Sequence, residues 1–333
     1  MQLRFLLLGL SLGGHVATGV GFAEPAPVFI LKWGTLGSMP GRFDVGRGVA
    51  LDASGKVWVV DSNNHRVQQF ESNGAFVQTF GSEGTANGRF EFPYDVAVHP
   101  GGQLYVADTH NHRVQKFESN GTYVAQWGSF GGGDGEFRFP TGINISSSGR
   151  VYVVDNENAR VQEFTDAGAF VRQWGAHGNG NGQFQCPHGI GIAPNGDVYV
   201  ADGANHRVQR FTSDGGFIST WGTQGSAPGQ FIDPHDVSVD ELGDVYVVDT
   251  ANNRIQKFDP TGVTLLVAWG SLGASNGKFC NPMAIDVGDP ADGIYVAEWN
   301  NYRVQKFARE APIAAEEANW GEVKGLYDTD LRR

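Results

Sequence analysis

One pattern recurs six times along the chain and constrains its fold more than any other feature. Its copies are Arg66-Val-Gln-Gln-Phe70, Arg113-Val-Gln-Lys-Phe117, Arg160-Val-Gln-Glu-Phe164, Arg207-Val-Gln-Arg-Phe211, Arg254-Ile-Gln-Lys-Phe258 and Arg303-Val-Gln-Lys-Phe307, at spacings of 47, 47, 47, 47 and 49 residues. A chain that repeats itself at this period builds one supersecondary unit many times, and each unit buries its apolar faces against its neighbours. Within a copy, four short apolar segments, such as residues 96–98, 104–107, 113–117 and 123–127, are separated by Gly, Asn, Asp and Pro. Four strands per unit is the pattern of a propeller blade. The second segment of each copy is an almost unbroken run of Val, Tyr, Trp and Ile, as expected of a strand covered on both faces by neighbouring blades. The expected fold is therefore all-β: a six-bladed β-propeller of four-stranded antiparallel blades.

A ring of sheets has to close, because open first and last blades would expose sheet faces and unpaired edges. Phe29-Ile-Leu-Lys-Trp-Gly34 matches only the fourth strand of the repeat, whereas the last copy supplies strands one to three and stops at Phe307. The N-terminal strand is thus expected to complete the sixth blade. A competing closure through Trp320-Gly321 needs 13 residues from Phe307 to Trp320, where the other copies use 10 or 11.

The organisation read from the sequence is a signal peptide at residues 1–23, a propeller at 24–307 and a C-terminal tail of unassigned role at 308–333. Arg4 followed by an apolar run over 5–12 and small residues up to Ala23 has the composition of a secretory signal. The run is too short to span a bilayer, so the mature chain is expected to be exported, extracellular or periplasmic, without an integral membrane segment. Loss of Arg4 takes the formal charge from −12 to −13. Such a balance disfavours nucleic acid and anionic membrane surfaces, which select clustered Lys and Arg. Cys186 and Cys280 are the only cysteines, too few for a disulfide scaffold, and no bridge between them is expected. A monomer is expected.

The run Tyr105-Val-Ala-Asp-Thr-His-Asn-His-Arg-Val-Gln-Lys-Phe117, preceded by Phe92-Pro-Tyr-Asp-Val-Ala-Val98, resembles the NHL repeat, and the resemblance extends over residues 29–307. Features present in every copy read as scaffold, since a single site has no use for the same residue six times. Among them are the acid–arginine pairs five residues apart (Asp61 with Arg66 through Asp249 with Arg254, and Glu298 with Arg303), and the Trp-Gly steps that begin at Trp33. The asparagines at Asn64 and its equivalents are expected to hold a positive-φ turn, and His65, His112 and His206 to be surface turn residues.

Function is sought instead where copies differ and converge. The residue after the loop proline rings one mouth of the central channel, which puts Arg47, Tyr94, Thr141, His188, His235 and Met283 there, with Asp95 and Asp236 one residue deeper. These eight are the candidate binding residues. Pro187-His188-Gly189 and Pro234-His235-Asp236 place two imidazoles on adjacent blades, where they could share a divalent transition metal such as zinc, completed by Asp236 or water. The Pro-His elements resemble those of the peptidyl-hydroxyglycine amidating lyases, six-bladed propellers for which the resemblance implies three metal-binding histidines on alternate blades. This chain has two, on neighbouring blades, with Tyr94 and Met283 at the alternate positions. The catalytic Tyr and Arg of those lyases match no particular positions here; Tyr94 and Arg47 are candidates by location alone. No nucleophile elbow, phosphate-binding loop, zinc-protease helix or calcium loop is present. The leading expectation is a non-catalytic module that binds a protein, peptide or glycan on the loop face, through Tyr94, Phe130, His188, His235, Trp299 and Tyr302. The alternative is a metal-dependent lyase or hydrolase centred on His188 and His235.

Overall fold

Each repeat folds as its polar breaks dictate. In a computed structural model that describes residues 24–289 and 291–309, the first blade runs through Gly46–Leu51, Val57–Asp61, Arg66–Phe70 and Phe76–Phe80, all antiparallel. The same order is repeated around a ring of six four-stranded sheets. Phe29–Trp33 pairs antiparallel with Arg303–Phe307, completing the sheet that also holds Ile294–Glu298 and Pro282–Val287. The N-terminal strand therefore closes the ring. The expected signal peptide and Trp320-Gly321 lie outside the described residues. Among those described, no helix is long and apolar enough to cross a membrane.

Burial explains the strand patterns. All five residues of the second strand are buried in every blade, while the outermost strand mixes exposed and half-buried residues in five blades and in Leu265–Trp269 buries Val267 and Trp269. The core lies between blades: Trp58, Val60 and Val67 of the first blade pack against Val96, Leu104, Val106 and Phe117 of the second. Burying each such Val or Leu contributes roughly 1.5–3 kcal/mol.

The Trp-Gly step has a specific cause. Gly128 holds a φ of +105°, and a Cβ there would lie 2.6 Å from the Phe137 ring. That phenylalanine, wholly buried, ends the long loop into the next blade, and Phe43, Phe90, Phe184, Phe231 and Phe279 repeat it. The glycine lets the loop fold back over its own phenylalanine.

The acid–arginine pairs tie that loop down. Asp155 is fully buried and accepts from Arg160 Nε at 2.7 Å, Asn158 Nδ2 at 2.8 Å, Gln162 Nε2 at 3.1 Å and the Arg138 backbone N–H at 2.7 Å. Arg160 also donates to the carbonyls of Gly132, Gly133 and Glu136 in the loop. The clamp recurs with Arg66, Arg113, Arg207, Arg254 and Arg303.

Two turn expectations change. The positive φ falls not on Asn64 and its equivalents but on the next residue: His65, His112, Ala159, His206, Asn253 and Tyr302 lie between +52° and +55°. The asparagine is needed for its amide, which in Asn64 donates to both Asp61 oxygens and the Gly37 carbonyl. The histidines do more than turn the chain. His65 Nδ1 accepts the Phe92 N–H at 3.1 Å, His112 that of Phe139 at 3.1 Å and His206 that of Asp233 at 3.2 Å, each joining one blade to the next.

Candidate functional site at the channel mouth

The first strands meet around a cavity of about 90 Å³ on the ring axis, lined in part by Asp95, Asn144, Asp236 and Asp286. Their side chains tie blade to blade. Asp95 accepts from Val96 N and Ile143 N, Asp236 from Val237 N and Ile285 N, and Asp286 from Leu51 N. Burial pushes the Asp95 carboxyl up to about 7 despite its two backbone donors. Burial, followed by the charge of Asp95, likewise raises Asp236 well above the usual carboxylate range.

One residue back along the chain, the mouth residues gather. Tyr94 Oη lies 2.7 Å from His235 Nδ1 and 3.3 Å from His188 Nδ1. The two imidazoles stack face to face at 4.0 Å between centroids and 8° between planes. The single hydroxyl proton can be donated to only one of the two nitrogens, so both contacts are hydrogen bonds only when the two imidazoles hold opposite tautomers and the second donates its Nδ1–H to the phenol oxygen. Burial holds both rings neutral: His188 is pushed down to about 4 by desolvation and then by Arg47, and His235 falls well below its usual value through burial, His188 and Arg47. Burial raises the Tyr94 phenol.

Arg47 lies over the Tyr94 ring at 4.7 Å and over Trp299 at 5.2 Å. The structure thus brings together Arg47, Tyr94, His188 and His235. Thr141 and Met283 are buried, with Thr141 Oγ1 donating to the His188 carbonyl at 2.9 Å, and neither joins the group. Asp236 is turned to backbone amides in the channel. The carboxylate beside the imidazoles is instead Asp233, whose Oδ1 is 3.8 Å from His188 Nε2.

Two contributors were hidden in the repeat. Asp233 occupies the place of Phe92, Phe139, Cys186 and Asn281 before the loop proline, a column whose variation was its only signal. Gly203 stands where Thr109, Asn156 and Thr250 donate to the next blade's proline carbonyl. Its φ needs no glycine, but a Cβ would come 2.7 Å from His188 Cδ2 and 2.9 Å from Asp233 Oδ1. Gly203→Ala is expected to displace the His188 ring and lower stability by about 1–3 kcal/mol. Imidazole NMR shifts together with thermal melts check this, and unmoved His188 resonances would contradict it.

Ligand atoms of His188, Asp233 and His235 all lie within 4.8 Å of one another. The fit to a metal is incomplete. Stacked, nearly parallel rings send their lone pairs along parallel lines, and both Nδ1 atoms face the Tyr94 hydroxyl, so the stack must open before both imidazoles reach one ion at about 2.0–2.1 Å. The three-histidine set of the amidating lyases is not formed.

The NHL repeat model matches residues 47–70, 90–117, 137–164, 184–211 and 231–258. The B-box type zinc finger protein ncl-1 of Caenorhabditis elegans and the protein brain tumor of Drosophila melanogaster are each 41% identical over 49 residues, 15% of this chain. That stretch spans only 6% and 5% of their lengths. Among solved structures, a Bacteroides thetaiotaomicron protein of unknown function superposes with a TM-score of 0.65 at 18% identity, covering 83% of this chain and 74% of that one. Virginiamycin B lyase from Staphylococcus aureus gives 0.56 at 14%, covering 80% and 95%. The gluconolactonase XC5397 from Xanthomonas campestris gives 0.59 at 13%, covering 80% and 87%. At these identities the structural matches speak for the fold alone. With five copies matched in phase and a sixth blade of the same build closing the ring, the chain belongs to the NHL repeat family.

Proposed function

We propose that this propeller is a non-catalytic binding module that takes a protein, peptide or glycan ligand on its loop face, centred on the channel mouth. The observation that carries this reading is the contrast between two sets of polar side chains. The repeated ones are engaged with their own loops, whereas Arg47, Tyr94, His188 and His235, drawn from four blades, converge at one opening. Trp299 and the exposed Phe130 extend that face with aromatic surface of the kind that anchors ligands. The proposal includes an exported, monomeric chain acting outside the cell or in the periplasm, in keeping with the sequence of residues 1–23.

In pull-downs with the mature chain from Glu24 onward, Tyr94→Ala/His235→Ala is expected to weaken capture of an identified ligand at least about tenfold. Alanine at His99 and Arg150, two residues lining a separate open pocket, should leave capture unchanged. Equal losses at both places would remove the mouth from the reading.

A second reading, a metal-dependent lyase or hydrolase, is favoured by the His188–Asp233–His235 grouping. Elemental analysis after dialysis separates the two. The binding reading expects no stoichiometric metal and an unchanged melt with added zinc. About one equivalent of metal, lost in His188→Ala/His235→Ala, would favour the enzyme.

A further inference from the structure

We infer that the mouth recognises a carboxylate group of the ligand, held by Arg47. The inference rests on the binding reading above and names the chemistry that site selects. Arg47 differs from every repeat arginine. Arg66, Arg113, Arg160, Arg207, Arg254 and Arg303 each meet a buried acid and loop carbonyls. Among the described residues, Arg47 has no ion pair and no side-chain hydrogen bond, and its Nε is buried without a partner. With Nε withdrawn from water and unpaired, and the rest of the half-buried side chain still reachable, this guanidinium is held ready for an acceptor from outside the chain.

The geometry selects the acceptor. The guanidinium carbon lies over two aromatic rings, Tyr94 at 4.7 Å and Trp299 at 5.2 Å, which hold the cation by its charge and leave its N–H donors without partners. Those donors form a planar fork that matches the two oxygens of a carboxylate. Nearby groups do not neutralise it. The Asp95 and Asp236 oxygens are bonded to backbone amides, and Asp233 lies against His188. A single negative charge is balanced by the single guanidinium, whereas a phosphate dianion would keep one charge uncompensated at this half-buried mouth. The neighbouring imidazoles are held neutral by burial and add no positive charge of their own.

A peptide C-terminus and an acidic sugar both carry this group, and the experiment separates them. Isothermal titration of the mature chain would use an N-acetylated dipeptide with a free or an amidated C-terminus, and glucuronate beside glucose. One of the two acids is expected to bind at least about tenfold more tightly than its neutral counterpart. Arg47→Gln should abolish that preference and Arg47→Lys should lose most of it, with melting temperatures unchanged. Equal affinity for acid and neutral forms, a preference that survives Arg47→Gln, or no binding of either acid up to about 50 mM would overturn the inference. In each of these cases the capture experiment with Tyr94→Ala/His235→Ala still decides the binding reading independently.

Discussion

A chain lacking residues 24–33 is expected to lose the cooperative thermal transition of the intact propeller and to self-associate as its concentration rises. The deletion removes Phe29–Trp33, the strand paired with Arg303–Phe307, and leaves that edge open to other chains. It also strips the seam between the last and first blades. Trp33 packs against Phe70 at 5.7 Å and Tyr295 at 6.1 Å there, and within the sixth blade Phe29 leaves Phe307, 6.1 Å away. No other seam depends on residues so far apart in sequence, so no local contact substitutes for this one. A milder variant keeps the test readable if the deletion does not fold. Trp33→Ala, at a half-buried position, should cost about 3 kcal/mol, lowering Tm by about 5–10 °C with the elution volume of the intact chain unchanged. Calorimetry and size-exclusion chromatography check both variants. A deletion that melts like the intact chain would mean that another segment, such as the one carrying Trp320-Gly321, can take the strand's place.

The closing strand was legible because it is a repeat fragment out of place: Phe29-Ile-Leu-Lys-Trp-Gly34 carries the fourth strand's pattern with no preceding three. Blade number and strand content were legible for the same reason, since periodicity survives variation at single positions. The turn chemistry was half legible. The Asn-His-Arg step announced a tight turn, but His and Asn both tolerate positive φ, and pattern alone could not say which one takes it. The site was legible as a ring of places, not as a set of contacts. Aligned copies put Arg47, Tyr94, His188 and His235 at one mouth. That Tyr94 would reach both imidazoles, or that Asp233 rather than Asp236 would stand beside them, depends on which way each side chain turns between blades. A carboxylate one residue before the proline and one two residues after it look equivalent in sequence; in the ring, the first faces the mouth and the second the channel.

The same distinction between scaffold and site can be tested with one arginine from each class. Arg160→Ala removes a guanidinium that is 8% exposed and leaves the wholly buried carboxylate of Asp155 without its counter-charge. Breaking one side of such a pair costs about 3–5 kcal/mol, and here the carbonyls of Gly132, Gly133 and Glu136 lose their donor as well. A fall in Tm of about 6–15 °C is expected. Arg160→Lys should recover little of it, because a single ammonium cannot reach an acid and three carbonyls from one planar fork. Removing the acid as well, in Asp155→Ala/Arg160→Ala, should cost less than the sum of the two single changes, since the stranded charge is gone. Through all of this the acid-over-neutral preference at the mouth should persist in whatever fraction remains folded. Arg47→Gln should do the reverse, leaving the melt in place and losing the preference. Two arginines of one chain would then separate cleanly, one with its hydrogen bonds completed inside the fold and one whose partner has to come from outside.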